Sequence, residues 1–221
     1  TTTSLSGDIT AAGAQLRLTG AVTNANGEAR TLTGSEVEFG AGYAGNNQNL
    51  TIAGILDLNA AAITGVKVLN VTGAANLGAD ITTIASGSIT IGGAIDLSAG
   101  VTLTSDDTAI DLGSTINGAQ ALVIDAGSGQ VDITDDVGAT TALTTLTVTS
   151  GVFNAVDIKS NGLISITNTG AGAITGVIAN GSGTTALTKA GTGTLTLGGA
   201  NTATGDLTVN LGTVDVTGTL A

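Results

Sequence analysis

The sequence predicts an all-β chain in which short strands stack rung upon rung into a β-solenoid, a single elongated repeat domain over residues 1–221. Three observations carry this. Apolar–polar–apolar triplets recur every six to fifteen residues or so, the period-two alternation of a strand whose outer members face inward and whose central member faces water. Gly, Asn, Ser and Ala fill the intervals between triplets, and such residues supply the backbone angles that corners demand. The apolar residues are Val, Ile, Leu and Ala, with two Phe, one Tyr and no Trp or Pro. Small and branched aliphatics suit a narrow interior of equivalent layers, and strands paired on both sides exclude Pro because it removes a ladder donor.

In chain order the strands begin with Leu16-Arg17-Leu18 and Val37-Glu38-Phe39, then Leu50-Thr51-Ile52 and Leu56-Asp57-Leu58. Val66-Lys67-Val68 and Leu69-Asn70-Val71 follow back to back. Ile89-Thr90-Ile91, Ile95-Asp96-Leu97, Val101-Thr102-Leu103 and Ile110-Asp111-Leu112 make a regular central series, broken by Gly92-Gly93. Beyond Asn117-Gly118 come Val131-Asp132-Ile133, Leu146-Thr147-Val148, Val156-Asp157-Ile158 and Ile164-Ser165-Ile166. The last are Leu195-Thr196-Leu197, Leu207-Thr208-Val209 and Val214-Asp215-Val216. No segment keeps a 3.6-residue period, and Gly interrupts every window long enough for a helix. A sandwich or barrel also has regularly spaced strands, but with longer strands and a less uniform core. At roughly 20–25 residues per coil the chain makes about nine to eleven coils, on the order of 50 Å of rod at ~4.8 Å per rung.

Composition narrows the function. His and Cys are absent, which excludes a Ser–His–Asp triad, a thiolate nucleophile, a zinc finger and a disulfide framework. Five bases stand against 17 acids, a net charge of −12, so there is no electrostatic footprint for nucleic acid or an anionic membrane. No apolar run approaches the ~18 residues of a membrane-spanning helix. Hydrophobic residues nevertheless make up 42% of the chain, enough to bury a core despite the low charge content.

Residues 187–217 read LTKAGTGTLTLGGANTATGDLTVNLGTVDVT. This stretch resembles the autotransporter-associated β-strand repeat, L-x-K-x-G-x-G-T-L-x-L-x-G-x-N-T-x-x-G-x-x-x-V-x-x-G-x-L. Lys189, Gly191, Gly193, Leu195, Leu197, Gly199, Asn201, Thr202, Gly205, Val209 and Gly212 fall on matching positions. Ala203 stands where an aromatic is common, and Val214 where Leu is usual. Upstream, segments such as Gly87–Leu97 resemble the degenerate repeats of filamentous-haemagglutinin-like surface adhesins. The resemblance implies a right-handed parallel β-helix in a long exported protein of a Gram-negative bacterium, at the cell surface or extracellular.

Four acids are candidate Ca²⁺ ligands: the pairs Asp106-Asp107 and Asp135-Asp136, since Ca²⁺ takes carboxylate oxygens. Paired acids also perform glycosidase chemistry, but such sites need aromatics or bases to hold sugar, and a turn role is the simpler expectation. No other cofactor is expected. Asp57, Asp96, Asp111, Asp132, Asp157 and Asp215 sit at triplet centres. Like charges directly opposite repel, so the register is expected to keep them apart as solvated surface charges. Thr-x-Thr pairs, as at Thr102–Thr104 and Thr145–Thr149, resemble the ice-binding arrays of some solenoids, but their spacing is irregular and β propensity accounts for them equally. Tyr43, with Phe39 beside it, sits in an irregular Gly- and Asn-rich stretch, Gly40–Asn49, read as a loop, a local recognition spot, a terminal cap or a hydrophobic plug over an end coil.

The expectation is a non-enzymatic, structural or adhesive rod segment of a longer surface protein. Its partners are itself end-to-end, neighbouring coils of the parent chain, or a host or cell-surface glycan or protein, with no nucleic acid and no membrane insertion. The alternatives are a Ca²⁺-organised surface-layer or matrix protein and a polysaccharide-binding β-helix.

Overall fold

The computed structural model describes residues 2–25, 27–59 and 61–221. Every strand pairing among them is parallel, and most strands pair with the strands one coil before and one coil after. The chain winds through about eleven coils of a β-solenoid. Coil 6 is representative: Val101–Thr104 forms its first face (A), Ile110–Leu112 the second (B) and Ile116–Asn117 the third (C). Coil 5 repeats the plan with Ile81–Thr83, Ile89–Ile91 and Ile95–Leu97.

Inward residues stack like on like. One column on face B runs Leu50, Leu69, Ile89, Ile110, Val131, Phe153, Gly172, Leu195, Val214. Phe153 is fully buried, and its neighbour in the column is Gly172, whose backbone runs close against that of Phe153. A Cβ at Gly172 would lie 2.3 Å from the Phe153 carbonyl oxygen. Corners are tight where coils nearly touch: a Cβ on Gly87 would fall 1.4 Å from the Lys67 carbonyl oxygen, so only glycine lets the two backbones pass.

Four expectations are corrected. The stretch Gly40–Asn49 is largely not a loop, because strand Tyr43–Leu58 runs through its greater part with bulges, Asn46 and Asn47 taking positive φ. Tyr43 is neither a recognition spot nor a cap. It is 2% exposed, and its ring packs 5.5 Å from that of Phe39, so both aromatics belong to the core. The triplet Val156-Asp157-Ile158 is not one strand: Val156 and Asp157 form the corner after strand Val152–Ala155, and Ile158 opens strand Ile158–Ser160. Of the adjoining triplets at 66–71, the second carries the regular alternation, while Val66 turns inward at a bulged corner and Val68 is half-buried.

In coil 11, Leu207, Val209, Leu211, Val216 and Leu220 are exposed.

Candidate functional site

The segment 187–217 supplies the least expected interior groups. Leu187–Ala190 forms the face A strand of coil 10. Period two directs Lys189 inward beside Leu187, and it pairs with Ile166 above and Val209 below. Lys189 is 0% exposed. Its Nζ donates to the carbonyl oxygens of Ala190, Gly191 (2.9 Å) and Leu211 (3.4 Å). Carbonyl dipoles thus replace the hydration of the buried charge, while burial pulls its pKa below the usual lysine value.

Asn201 completes the clamp from the opposite side. Its Oδ1 accepts the Ile178 N–H of coil 9 (2.8 Å), and its Nδ2 donates to Gly199 (3.2 Å) and to Thr219 of coil 11 (3.1 Å). Asn168, one coil earlier, donates to Gly170 (2.6 Å) and Thr194 (3.0 Å). These inward amides and the ammonium tie coil 10 to both its neighbours. Near the N-terminal end, buried Arg30 stacks on Leu50 of the next coil and donates within its own coil to Ala29 (2.9 Å) and Ala25 (3.2 Å). Burial pushes the nearby Tyr43 hydroxyl up to about 12, against the pull of Arg30.

The outward columns differ in charge from face to face. Face B carries Thr31, Thr51, Asn70, Thr90, Asp111, Asp132, Asn154, Ala173, Thr196 and Asp215 in register. Face C carries Arg17, Glu38, Asp57, Asn76, Asp96 and Asn117. On face C the acids Asp57 and Asp96 are separated by Asn76, as like-charge avoidance predicts. Two stacks break that expectation. Asp111 lies directly against Asp132, and burial together with Asp132 raises its pKa. Glu38 lies against Asp57, whose pKa is raised by burial, then by Glu36 and Glu38. Hydrogen bonds soften both contacts: Asn154 Nδ2 donates to Asp132 (2.8 Å), and Arg17 Nε meets Glu38 at 3.1 Å.

Of the four Ca²⁺ candidates, Asp106 and Asp107 lie in the A–B corner of coil 6. Asp106 accepts the Ser86 N–H of the coil before (2.9 Å), and Asp107 accepts the Ser128 N–H of the coil after (2.8 Å). Each spends a carboxylate oxygen bracing an adjacent coil. Asp135 accepts the Asp136 N–H (2.9 Å) at the B–C corner of coil 7. The Asp136 pKa is raised by burial and by Asp157 and Asp135. Asp136, Asp157 and Lys159 line a shallow recess of about 200 Å³.

Among the described residues, one group of three acids has oxygens within 4.8 Å of one another: Glu36, Glu38 and Asp57. The sequence reading did not assemble it, because Glu36 and Asp57 are 21 positions apart and meet only through the coil register. Arg17 and Gln15, which donates to both glutamates, already offset this group.

Residues 187–216 match the passenger-associated-transport-repeat family. No curated protein and no solved structure matches the chain. The matched segment and the β-solenoid together fit an autotransporter passenger-type repeat, the kind of structural segment that belongs to exported, surface-exposed proteins. On the structure, the matched residues are coils 10 and 11, and two of the repeat's polar positions are the inward clamps Lys189 and Asn201.

Proposed function

We propose that this chain is a stiff rod within a longer cell-surface protein of a Gram-negative bacterium, a stalk or fibre segment that presents or forms adhesive contacts and performs no catalysis. The observation that supports this most is one uninterrupted parallel stack of about eleven coils whose last two coincide with the passenger-type match. Continuous ladders between coils resist bending, and each coil contacts only its neighbours, so folding propagates along the rod. That suits emergence of an unfolded chain through an outer-membrane pore, and no disulfide has to form. Along the axis, the apolar C-terminal end calls for cover by neighbouring coils of the parent chain or by a second copy end-to-end.

Adhesion of beads coated with the chain to host cells and to a glycan array, with electron microscopy of the same sample, tests the reading. Straight particles about 50 Å long per copy, with binding that follows the coating density, are expected. Compact particles, or turnover of a polysaccharide substrate, would refute it.

A further inference from the structure

An inward column with polar members runs along the A–B corner of the rod. Thr83 of coil 5, Ser105 of coil 6, Ala126 of coil 7, Ser150 of coil 8 and Asn168 of coil 9 stand at the ends of the face A strands and succeed one another rung by rung. All of them are buried, and a buried hydroxyl or amide needs a partner to offset its lost hydration. The first two find one in their own coil. Thr83 Oγ1 donates to the Gly87 carbonyl (2.5 Å), and Ser105 Oγ donates to the Thr108 carbonyl (2.6 Å). The corners that supply these carbonyls, residues 84–88 and 105–109, are long enough to return one to the hydroxyl.

Coil 8 has no such corner. Gly151 alone separates strand Thr145–Ser150 from strand Val152–Ala155, and Ser150 Oγ has no hydrogen-bond partner among the described residues. Directly against Ser150 in the register stands Asn168, which is 0% exposed and whose Oδ1 is likewise unpartnered. The Asn168 amide nitrogen is committed to Gly170 and to Thr194 of coil 10, so Oδ1 is the atom left to serve coil 8. Lys189 does not reach it, because the three N–H groups of its ammonium are engaged by the carbonyls of Ala190, Gly191 and Leu211. A buried donor therefore lies one rung from a buried acceptor, and the two do not bond directly.

We propose that the A–B corner holds a buried water between coils 8 and 9, which accepts the Ser150 Oγ–H and donates to Asn168 Oδ1. Water fills both roles at once, and a polar contact too long to be direct is the setting in which a bridging water belongs. A cation such as Ca²⁺ would need several more oxygens than these two, and Lys189 already places an ammonium in the next coil. The column has room there, since Ala126 precedes Ser150 and Gly191, whose backbone lies against that of Asn168, follows it. The water takes the place of the corner carbonyl that coils 5 and 6 supply from their own chain. It thereby joins coil 8 to coil 9 inside the rod. This goes beyond the rod reading, which concerns what the outside of the stack does.

Water–protein cross-peaks in nuclear magnetic resonance of the 221-residue chain, with relaxation dispersion of the solvent to count long-lived internal waters, test the proposal. A cross-peak from a long-lived water to the Asn168 side-chain amide is expected. Ser150→Val, whose methyls occupy the water's place, should abolish that cross-peak and lower the count by one. Ser150→Ala, the gentler change, should abolish the cross-peak as well. Ser105→Ala, which removes a hydroxyl that already has a carbonyl partner, should leave both readouts as in the parent. The proposal is overturned if the parent shows no long-lived water at Asn168, or if that water persists in Ser150→Ala. A crystal structure in which Ser150 Oγ bonds Asn168 Oδ1 directly overturns it too.

Discussion

Replacing Asp111 by Asn should stabilise the rod at neutral pH, although it removes a charged group. Asp111 and Asp132 occupy the same outward position in successive coils. At about 5 Å, two carboxylates repel by about 0.8 kcal/mol in water, and partial burial raises this while salt lowers it, so a net gain of about 0.5–1 kcal/mol follows. Asn can instead hydrogen-bond up or down the column, as Asn154 already does to Asp132. The choice of partner matters: Asp132 also accepts from Gln130, so Asp132→Asn disturbs two bonds and gains less.

The pH dependence has a definite sign. The Asp111 pKa is raised in the folded chain, so the folded state holds the proton more tightly than the unfolded state. The penalty is absent below the ordinary Asp value near 4 and develops as pH rises through the folded pKa. Thermal unfolding by circular dichroism should show the midpoint of Asp111→Asn about 1–4 °C above the parent at pH 7 in low salt. The difference should shrink in 1 M NaCl, where the Debye length is about 3 Å, and vanish near pH 3. No gain at pH 7, or an equal gain at pH 3, would refute the register argument.

Other perturbations probe other parts of the stack. Lys189→Met keeps the length but strips the donors from the carbonyls of Gly191 and Leu211. It should loosen the last coil by about 1–2 kcal/mol, seen as faster hydrogen exchange over 207–219 with coils 3–8 unchanged; uniform exchange would deny Lys189 a clamping role. Phe153→Ala should cost about 3–5 kcal/mol, since its column neighbour Gly172 cannot fill the void, and a loss below about 1 kcal/mol in denaturant unfolding would contradict the packing. Gly87→Ala forces a Cβ to 1.4 Å from a backbone oxygen, whereas at Gly100 the nearest atom is 3.8 Å away. The first substitution should sharply lower the midpoint while Gly100→Ala stays near the parent, and equal effects would overturn the corner geometry.

Much of this architecture was readable residue by residue. Strands such as Ile89–Ile91, Ile95–Leu97 and Ile110–Leu112 lie where their alternation puts them. Lys189 was readable too, since Leu187-x-Lys189 keeps period two, but a charged residue invites an outward assignment unless its carbonyl partners are known. Tyr43 misled because Gly and Asn around it look like a loop, while bulges and positive φ at Asn46 and Asn47 carry the strand through. The pair Asp106-Asp107 was legible as a corner. That its oxygens reach one coil back and one coil forward was not.

Period-two alternation is local, and so an all-β chain, the inward set of aliphatics, the lack of Pro, His and Cys and the passenger-type repeat at 187–217 could all be read from the residues alone. Which outward residues share a column depends instead on the summed length of every corner between them. One residue more or less shifts all later coils relative to earlier ones. The coil register, set in three dimensions, is therefore what brings Asp111 against Asp132, gathers Glu36, Glu38 and Asp57, and stacks Phe153 on Gly172.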